Sequence, residues 1–505
     1  MNLRPFTRVL VANRGEIAVR VIRGCHERGL EAVAVHSDAD ADALHVRLAD
    51  AAYRIGPAAS SESYLLGDVI LDVAARSGCD AIHPGYGFLS ENADFARAVL
   101  AAGLVWIGPP PDAMEAMGEK TSARRRMSAA GVPVVPGTVE PVTDPAEAAR
   151  IALEVGLPVM LKAAAGGGGK GMRRVDRAED LPNALAAAQG EAMKSFGDDS
   201  VYVEKFVMRP RHVEIQVLAD GHGNVVHLFE RDCSIQRRHQ KVVEEAPSPR
   251  LPEATRQAMA AAAVRATQAV NYVGAGTCEF LVGADGAFHF LEMNTRLQVE
   301  HPITELITGV DLVHAQLRVA AGERLWFEQD DLVRNGHAIE CRIYAEDAAE
   351  GFRPAPGPLH GYREPTGPWV RVDSGVVEGM TVPIHYDPMI AKLVVWGPTR
   401  PVAIARARRA LKHYHIVGTH TSIPFFLALF EDEAFTSGHY DTGFITTEWL
   451  EANLGAPEDL EAEAIAIAIA AFERDRRLRP SAPAGGAGES AWKRAHRWKT
   501  YRRWA

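Results

Sequence analysis

Short apolar runs alternate with amphipathic stretches along the first part of the chain. Residues 8–12 are an apolar strand candidate, and residues 16–29 follow as an amphipathic helix that ends at Gly29. Further strands are predicted over 31–36, 80–83 and 104–107, with helical stretches between them. Because strands that alternate with helices form parallel, doubly wound sheets, residues 1–118 are predicted to be a domain of that kind.

The pattern changes after residue 118. Residues 119–330 contain strands, a run of glycines and longer β-rich segments, and about 131–206 is expected to be a small separate lobe. Within this part, apolar and polar residues alternate over 212–217, as in a half-buried antiparallel strand. Residues 331–447 are predicted to be a third segment, which mixes strands with a helix near 401–412. Residues 448–505 are a fourth segment, with a helix candidate over 458–479, a flexible linker and a basic, aromatic end.

Composition and charge narrow the class of protein. Apolar residues make up 47% of the 505 residues and charged residues 24%, as in soluble globular proteins. The net charge of −10 gives no overall attraction for nucleic acid. The apolar stretch near the N-terminus is too short for a signal peptide, and the longest later run is too short for a membrane span. The five cysteines are scattered without a CxxC pair, which favours a reducing cytoplasm over a disulfide framework or a zinc site.

The most distinctive local signal is a run of four glycines, Gly166, Gly167, Gly168 and Gly169, between two strand-like segments. Their backbone N–H groups can cradle phosphate oxygens, and Lys162 and Lys170 add positive charge. The segment also fits GxGxxG, but a strand follows where a dinucleotide site needs a helix. It is not a P-loop, because Gly171 follows Lys170 in place of Ser or Thr. A lid over ATP is therefore predicted, with a mobile surface hairpin as the alternative.

A second constellation lies on a predicted hairpin. Segments 278–280 and 290–294 are strand-like and are joined by a turn over 283–287. The hairpin would bring Glu279, Glu292 and Asn294 to one end of a groove. Two carboxylates and an amide oxygen suit Mg²⁺ that bridges nucleotide phosphates. Two glutamates alone could equally lie on a solvated face, but the polar run that follows favours a site.

That polar run, residues 294–302, comes directly after an apolar strand and cannot continue the core. Arg296 offers a planar fork for a small oxyanion such as bicarbonate. Glu300 is a candidate general base, whereas His301, just before Pro302, is expected to be structural.

A third cluster has five side chains that are cationic or can become so within residues 231–241. Such a cluster repels itself unless phosphate or acidic residues neutralise it. An anion-binding loop is therefore expected, and the alternative is a solvated charged loop.

These segments are among those through which the sequence resembles the biotin carboxylases, from residue 5 to about 447. The matching stretches are 11–18, 83–92, the glycine segment from Lys162, 231–241, 292–302 and 386–393. The resemblance implies an ATP-grasp fold with α/β and α+β parts. It comprises an N-terminal, doubly wound, Rossmann-like (pre-ATP-grasp) domain, an ATP-grasp domain with a glycine-rich lid lobe, and a C-terminal biotin carboxylase domain.

The same resemblance implies roles for individual residues. The implied ATP site comprises Lys120, Lys162, Gly166 to Gly169, a hinge strand against adenine (Glu204, Lys205, Phe206, Val207), His212, Gln236 and His239. The implied metal ligands, for two Mg²⁺ or Mn²⁺ ions, are Glu279, Glu292 and Asn294. The implied bicarbonate pocket comprises Lys241, Arg296, Gln298 and the Val299 backbone, of which Lys241 and Arg296 are also catalytic candidates. Glu300 matches the base that deprotonates bicarbonate, Arg342 matches the cation that stabilises the biotin enolate, and Tyr86 lies near biotin.

The resemblance further implies a cytoplasmic homodimer that works with a separate biotin carboxyl carrier protein and a carboxyltransferase. It would catalyse the first half-reaction of an acetyl-CoA or acyl-CoA carboxylase, as in fatty acid biosynthesis. The sequence of residues 387–392 is more similar to that of the propionyl- and methylcrotonyl-type enzymes than to that of the enzymes that act only on acetyl-CoA. Another ATP-grasp ligase is an alternative that Arg342 and the 292–300 run argue against. A non-catalytic nucleotide-binding scaffold is disfavoured because all candidate ligands are present.

Two features lie outside these motifs. Ala192-Met193-Lys194 is similar to a biotin acceptor, but Ser195 replaces the usual second methionine and the stretch looks helical, so we expect Lys194 not to be biotinylated. Residues 491–505 hold three of the eight tryptophans and six Lys or Arg residues. We expect this tail to dock onto a partner subunit through these side chains. A membrane-surface helix and a tail without a role are the alternatives.

Overall fold

The computed structural model describes residues 5–138, 140–163, 172–197 and 199–454, with positions 465, 467–472 and 474. Residues 1–454 form one compact unit and residues 455–505 a second. In the second unit the described positions are helical, and the rest of the predicted 458–479 helix and the 491–505 tail lie outside the described residues. Among the described residues, no helix combines the length and the apolar character needed to cross a membrane.

The N-terminal sheet is parallel and doubly wound, as predicted. Its strands lie in the order Ala51–Gly56, Glu31–Ser37, Arg8–Val11, Ala81–His83 and Val105–Trp106. Its helices are Gly15–Glu27, Leu44–Leu48, Gly67–Ser77, Ala93–Ala101 and Pro111–Gly118. The strand order reverses between Arg8–Val11 and Ala81–His83. A switch of this kind opens a crevice at the carboxyl ends of the strands.

A small lobe follows. Its three-stranded antiparallel sheet has the order Met172–Val175, Val159–Ala163 and Val201–Lys205. Helices Pro145–Val155 and Leu181–Phe196 complete the lobe and contribute to a common apolar core. Residues 164–171, with the four glycines, lie outside the described residues, but the strands on either side pair with each other. Lys194 lies in the second helix, as its alanine-rich surroundings predicted.

The largest sheet has eight strands, and every neighbouring pair is antiparallel. Their order is Phe288–Asn294, Gly274–Val282, Arg211–Ala219, Val225–Arg237, Gln240–Ala246, His337–Tyr344, Met389–Gly397 and Val370–Ser374. The strand Gln240–Ala246, from the predicted segment 119–330, pairs with His337–Tyr344, from the predicted segment 331–447. These two segments therefore share one sheet.

The remaining elements surround this sheet. The helices are Lys120–Ala129, Glu253–Ala269, His301–Thr308, Leu312–Ala320, Arg400–Lys412, Ile423–Leu429, Glu433–Thr436 and Thr447–Leu454. Short strand pairs join Glu346–Asp347 to Arg353–Pro354, Gly357–Pro358 to Thr381–Val382, and Gly361–Arg363 to His415–Val417.

The strand Arg211–Ala219 departs from its predicted half-buried character, because both of its faces are buried. Val213, Ile215 and Val217 pack against the helix Glu253–Ala269 in an apolar core. The alternate residues, which a solvated sheet would expose, are covered on the opposite face by the candidate site. The apolar residues of this strand therefore face the core, and the polar residues between them face the candidate site and not solvent.

Candidate active site

The crevice at the switch point is shaped by one asparagine. The side chain of Asn13, two residues after its strand, donates hydrogen bonds to the carbonyl oxygens of Pro84 and Tyr86, both at 2.7 Å. Gly85 lies between them with a φ of +63°, and a Cβ there would approach Asn13 Nδ2 to 2.9 Å. Asparagine and glycine together hold the loop that presents Tyr86.

The crevice opens into a cavity of about 1200 Å³ that the small lobe and the large sheet also line. Most predicted site residues line it: Tyr86, Lys162, Glu204, Lys205, Phe206, Val207, His212, Gln236, His239, Lys241, Glu279, Glu292, Asn294, Arg296, Gln298, Val299 and Arg342. The glycines of the predicted lid and the side chain of Lys120 lie outside the described residues. Predicted residues from seven separate stretches of the sequence thus meet at one cavity.

Glu300 lies beneath the cavity and is fully buried. Lys241 Nζ is 2.7 Å from its Oε1, and Arg342 Nη2 is 2.9 Å from its Oε2. Burial alone would raise the pKa of Glu300, but Lys241, Arg342 and Arg231 outweigh it and hold that pKa well below its ordinary value. The carboxylate is therefore ionised and held between two cations.

Lys241 is surrounded by acidic groups. Besides Glu300, its ammonium contacts Glu279 Oε1 at 2.8 Å and a carboxylate oxygen of Glu214. Burial would lower the pKa of Lys241, yet these three carboxylates raise it well above its ordinary value. Arg342 in turn donates from Nε to Glu244 at 2.6 Å. Burial raises the pKa of Glu244 to about 7 despite that contact.

The predicted metal ligands meet on the hairpin. Glu279 lies directly opposite Glu292 in the antiparallel register, and Asn294 lies opposite Thr277. Asn294 Nδ2 donates to Glu279 Oε1 at 2.8 Å. Burial would raise the pKa of Glu279, but Lys241 and His212, whose Nε2 lies 2.8 Å away, keep it far below its ordinary value. Ionised carboxylate and amide oxygens at this position fit Mg²⁺ or Mn²⁺.

Three side chains hold Arg296 at the cavity wall. Its guanidinium donates to Glu91 Oε2 at 2.9 Å, to Asn294 Oδ1 at 2.9 Å and to Gln298 Oε1 at 3.0 Å. Gln298 Nε2 in turn donates to Glu279 Oε1 at 3.3 Å. The predicted bicarbonate residues are thus joined to the predicted metal residues by hydrogen bonds.

The predicted nucleotide residues lie on the small lobe and on the facing strands. Glu204 accepts hydrogen bonds from Lys162 and from Arg124, which the sequence did not single out. Lys205 Nζ donates to the carbonyl oxygen of Gly156 at 2.7 Å, and the Arg174 guanidinium lies 4.7 Å above the Phe206 ring. On the large sheet, Gln236 Nε2 and His212 Nδ1 are 2.9 Å apart.

The cationic segment 231–241 is a β-hairpin, where a loop was expected. Its strands pair Arg237 with Gln240, so that Arg238 and His239 alone make the turn, with φ of +49° and +66°. Arg231 is fully buried in the strand and donates from Nε to Glu214. Buried acidic residues, and not solvent, therefore neutralise much of this charge.

Several residues of the site escaped the sequence analysis, namely Glu214, Glu244, Glu91 and Arg124. Glu214 belongs to a strand in which apolar and polar residues alternate, which is typical of a strand with one solvated face. Glu244 stands beside Glu245 in a strand without such alternation. Glu214 and Glu279 lie directly opposite each other on adjacent strands. Paired carboxylates of this kind were the signal that could have indicated a site. His301, expected to be structural, is fully buried with Nδ1 2.8 Å from the Gln298 carbonyl oxygen, and it supports this loop from behind.

An antiparallel sheet and a small lobe that enclose a nucleotide-sized cavity beside a doubly wound domain define an ATP-grasp enzyme. Residues 119–327 match the ATP-binding domain of the carbamoyl-phosphate synthase L chain. Residues 5–114 match the biotin carboxylase N-terminal domain, and residues 340–447 match the biotin carboxylase C-terminal domain.

Whole proteins are similar over most of the chain. A pyruvate carboxylase subunit of Methanothermobacter thermautotrophicus is 54% identical over 440 residues, which cover 87% of this chain and 89% of that protein. The biotin carboxylase of Nostoc sp. is 52% identical over 440 residues, 87% of this chain and 98% of that protein. The crystal structure of the Hydrogenobacter thermophilus 2-oxoglutarate carboxylase biotin carboxylase domain dimer, with MgADP, ADP and bicarbonate, has a TM-score of 0.81 at 47% identity, covering 88% and 97% of the two chains. The chain belongs to the biotin carboxylase family of ATP-dependent ligases.

Proposed function

We propose that this chain uses ATP and bicarbonate to carboxylate biotin that is carried on a separate protein, with carboxyphosphate as the intermediate. One observation carries the proposal. The buried carboxylate of Glu300 lies between Lys241 and Arg342, and both of these cations line a cavity large enough for a nucleotide. This arrangement supplies a base and two cations for the two negative charges that develop in turn, on bicarbonate and on biotin.

Glu300 would act as a base only once bicarbonate is bound. While Lys241 and Arg342 contact Glu300, its pKa stays low and it is a weak base. Bicarbonate that enters beside Arg296 and Gln298 brings negative charge and competes for the same cations, which raises the pKa of Glu300. Glu300 then takes the proton of the bicarbonate hydroxyl. The low resting pKa thereby ties base strength to the presence of the substrate.

The deprotonated bicarbonate oxygen attacks the γ-phosphorus of ATP, and ADP leaves with the electrons of the broken P–O bond. Lys162, His239, Lys120 and the glycines 166–169 are proposed to bind the phosphates, and Glu204 to Val207 the adenine. Carboxyphosphate then separates into CO₂ and phosphate, and the phosphate accepts the proton of the biotin N–H. The biotin nitrogen attacks CO₂ while Arg342 stabilises the negative ureido oxygen, with Tyr86 beside the biotin.

The metal site is proposed at Glu279, Glu292 and Asn294. These residues would hold two Mg²⁺ or Mn²⁺ ions, which neutralise the charge of the nucleotide phosphates when bound. The antiparallel register that sets Glu279 opposite Glu292 supports this, with Asn294 two residues further along the same strand.

The setting of the reaction is also proposed. The chain would divide into an N-terminal domain (1–118), an ATP-grasp domain (119–330), a C-terminal domain (331–447) and a tail (448–505). A homodimer is supported by the dimer named for the Hydrogenobacter structure. A separate carrier protein and a carboxyltransferase would complete an acetyl-CoA or acyl-CoA carboxylase. The five cysteines are buried free thiols, which supports a cytoplasmic location.

The experiment is a steady-state ATPase assay on the purified chain. ATP hydrolysis should require both Mg²⁺ and bicarbonate, and free biotin should accelerate it while carboxybiotin accumulates. ATP turnover that does not depend on bicarbonate would contradict the proposal. Ammonia in place of biotin is the control for a carbamoyl-phosphate-forming ligase, because only such a ligase would turn ammonia over.

A further inference from the structure

A fully buried lysine joins the biotin side of the proposed site to its bicarbonate side. Lys392 Nζ donates to the carbonyl oxygen of Val299 at 2.9 Å and forms an ion pair with Glu16 Oε2 at 3.1 Å. The side chain of Lys392 is 0% exposed. The other oxygen of Glu16 accepts a hydrogen bond from the Tyr86 hydroxyl. A continuous chain of contacts therefore runs from Tyr86 to the residue that precedes Glu300.

The fold brings these groups together from three parts of the chain. Glu16 lies in the first turn of the helix that begins at the switch-point crevice. Lys392 lies on the large sheet, directly opposite Arg342 on one side and Asp373 on the other. Side chains that are directly opposite in a sheet point to the same face. Two neighbouring cations thus reach the same loop, Arg342 at the carboxylate of Glu300 and Lys392 at the carbonyl of Val299.

Stability alone does not account for this lysine. Removing an ammonium from water is costly, and well-packed apolar residues of similar volume often replace buried ion pairs without loss. Lys392 has Glu16 as its close anionic partner, while Asp373 Oδ2 is 3.9 Å away. Its hydrogen bond to Val299 instead constrains a backbone carbonyl at the bicarbonate pocket. Lys392 also lies within 386–393, one of the stretches in which the sequence resembles the biotin carboxylases. The proposed function gives no residue of that stretch a role.

We propose that Lys392 is a positioning residue, which together with Glu16 holds the Val299–Glu300 backbone in place and links it to Tyr86. This inference rests on the proposed function. Loss of the ammonium would let the Val299 carbonyl move and misplace both the bicarbonate pocket and the base. The affinity for ATP should change little, because the residues proposed to bind adenine belong to another part of the fold, the strand Val201–Lys205 of the small lobe and the residues after it.

The test compares Lys392→Met with wild type in the bicarbonate-dependent ATPase. Methionine keeps an unbranched chain of similar length and removes the charge. The KM for bicarbonate should rise by about tenfold, as expected for losing a charged hydrogen bond, while the KM for ATP stays within about twofold. Glu16→Gln keeps the shape of Glu16 and weakens only the ion pair. It should raise the KM for bicarbonate by a smaller factor, about threefold.

The matched control is Arg256→Met. Arg256 forms another buried ion pair, with Nε 2.6 Å from Glu230 Oε1, and neither residue lines the cavity. This variant should lower the melting temperature without changing the KM for bicarbonate.

The positioning role is overturned if Lys392→Met keeps the wild-type KM for bicarbonate. It is also overturned if Lys392→Met raises the KM for ATP by the same factor as the KM for bicarbonate, or if Arg256→Met raises the KM for bicarbonate by that factor. If Lys392→Met does not fold, Glu16→Gln decides, because an unchanged KM for bicarbonate in that variant also overturns it. Absence of bicarbonate-dependent ATPase in the wild type would instead contradict the proposed function itself.

Discussion

Glu300 and Arg342 form one buried ion pair, with Oε2 and Nη2 2.9 Å apart, although 42 positions separate them in the sequence. The proposed base and the proposed enolate-stabilising cation therefore share a contact before either meets a substrate. Each constrains the charge of the other. Under the proposed function, the residue that acts in the attack on ATP thus contacts the residue that acts in the carboxylation of biotin.

Glu300→Gln should abolish both activities. Glutamine keeps the size of the side chain but has no carboxylate to accept the proton of bicarbonate, so carboxyphosphate does not form. Bicarbonate-dependent ATPase and carboxybiotin formation should both fall by at least about 10²-fold. Near-wild-type ATPase in this variant would remove Glu300 from the proposed role.

Arg342→Ala should separate the two activities. Its charge is needed most when the biotin enolate forms, so carboxylation should fall by about 10²-fold or more, while ATPase falls by less than about tenfold. The ratio of ADP to carboxybiotin, measured in one reaction, reports the split directly. Equal losses of both activities would contradict it.

Glu292→Gln should weaken the metal site selectively. The Mg²⁺ concentration for half-maximal ATPase should rise by about tenfold, which corresponds to roughly 1.4 kcal/mol of lost binding free energy. Glu433→Gln, an exposed glutamate in the first turn of a distant helix, is the matched control and should leave the Mg²⁺ requirement unchanged. A Mg²⁺ titration that is the same for Glu292→Gln and wild type would exclude this ligand.

Glu340 should make stability depend on pH. Its side chain is fully buried and neither oxygen has a hydrogen-bond partner among the described residues, so burial raises its pKa well above the ordinary value. The folded protein therefore binds a proton that the unfolded chain releases above its ordinary pKa. This contribution to stability is complete below that ordinary value and is lost as the pH rises toward the folded pKa, by up to about 1.4 kcal/mol per pH unit.

Glu340→Gln removes this titration. Urea unfolding at pH 6 and pH 8.5 should show that wild type loses more free energy of unfolding than the variant over that interval. Glu16, whose pKa burial raises to about 7, contributes the same trend to both proteins and cancels in the comparison. Glu244 lies directly opposite Glu340 in the sheet and helps to raise the pKa of Glu340, so its effect belongs to the loss that the wild type shows and the variant does not. Parallel losses in wild type and variant would show that Glu340 is not the source.

Deletion of residues 481–505 should leave free-biotin carboxylation nearly intact and weaken co-purification with a carboxyltransferase or carrier protein. The reason is the composition of the tail, because Trp, Tyr and Arg are frequent interface anchors. The full chain, purified in parallel from the same cells, is the control. Equal recovery of the partners with both chains would leave the tail without a docking role.

Local patterns in the sequence predicted the elements well. The helix expected over 16–29 is Gly15–Glu27, and the hairpin that carries Glu279 and Glu292 has the predicted strands and turn. Both depend on interactions between residues a few positions apart, which the sequence reveals directly. The segment 231–241 was predicted to be an anion-binding loop and is a β-hairpin, and the acidic partner of Arg231 lies on another strand, at Glu214.

The sequence by itself determined the order of strands and helices, the motifs and the kinds of chemical group available to the site. The tertiary structure alone decided which of those groups are buried and which pair with one another. No local pattern marks Glu214, Glu244 or Lys392 as buried charges, and only the packing of lobe, sheet and N-terminal domain removes them from water. Because the cost of burying a charge depends on its neighbours in space, the pairing of Glu300 with Lys241 and Arg342 follows from the fold and not from any local pattern.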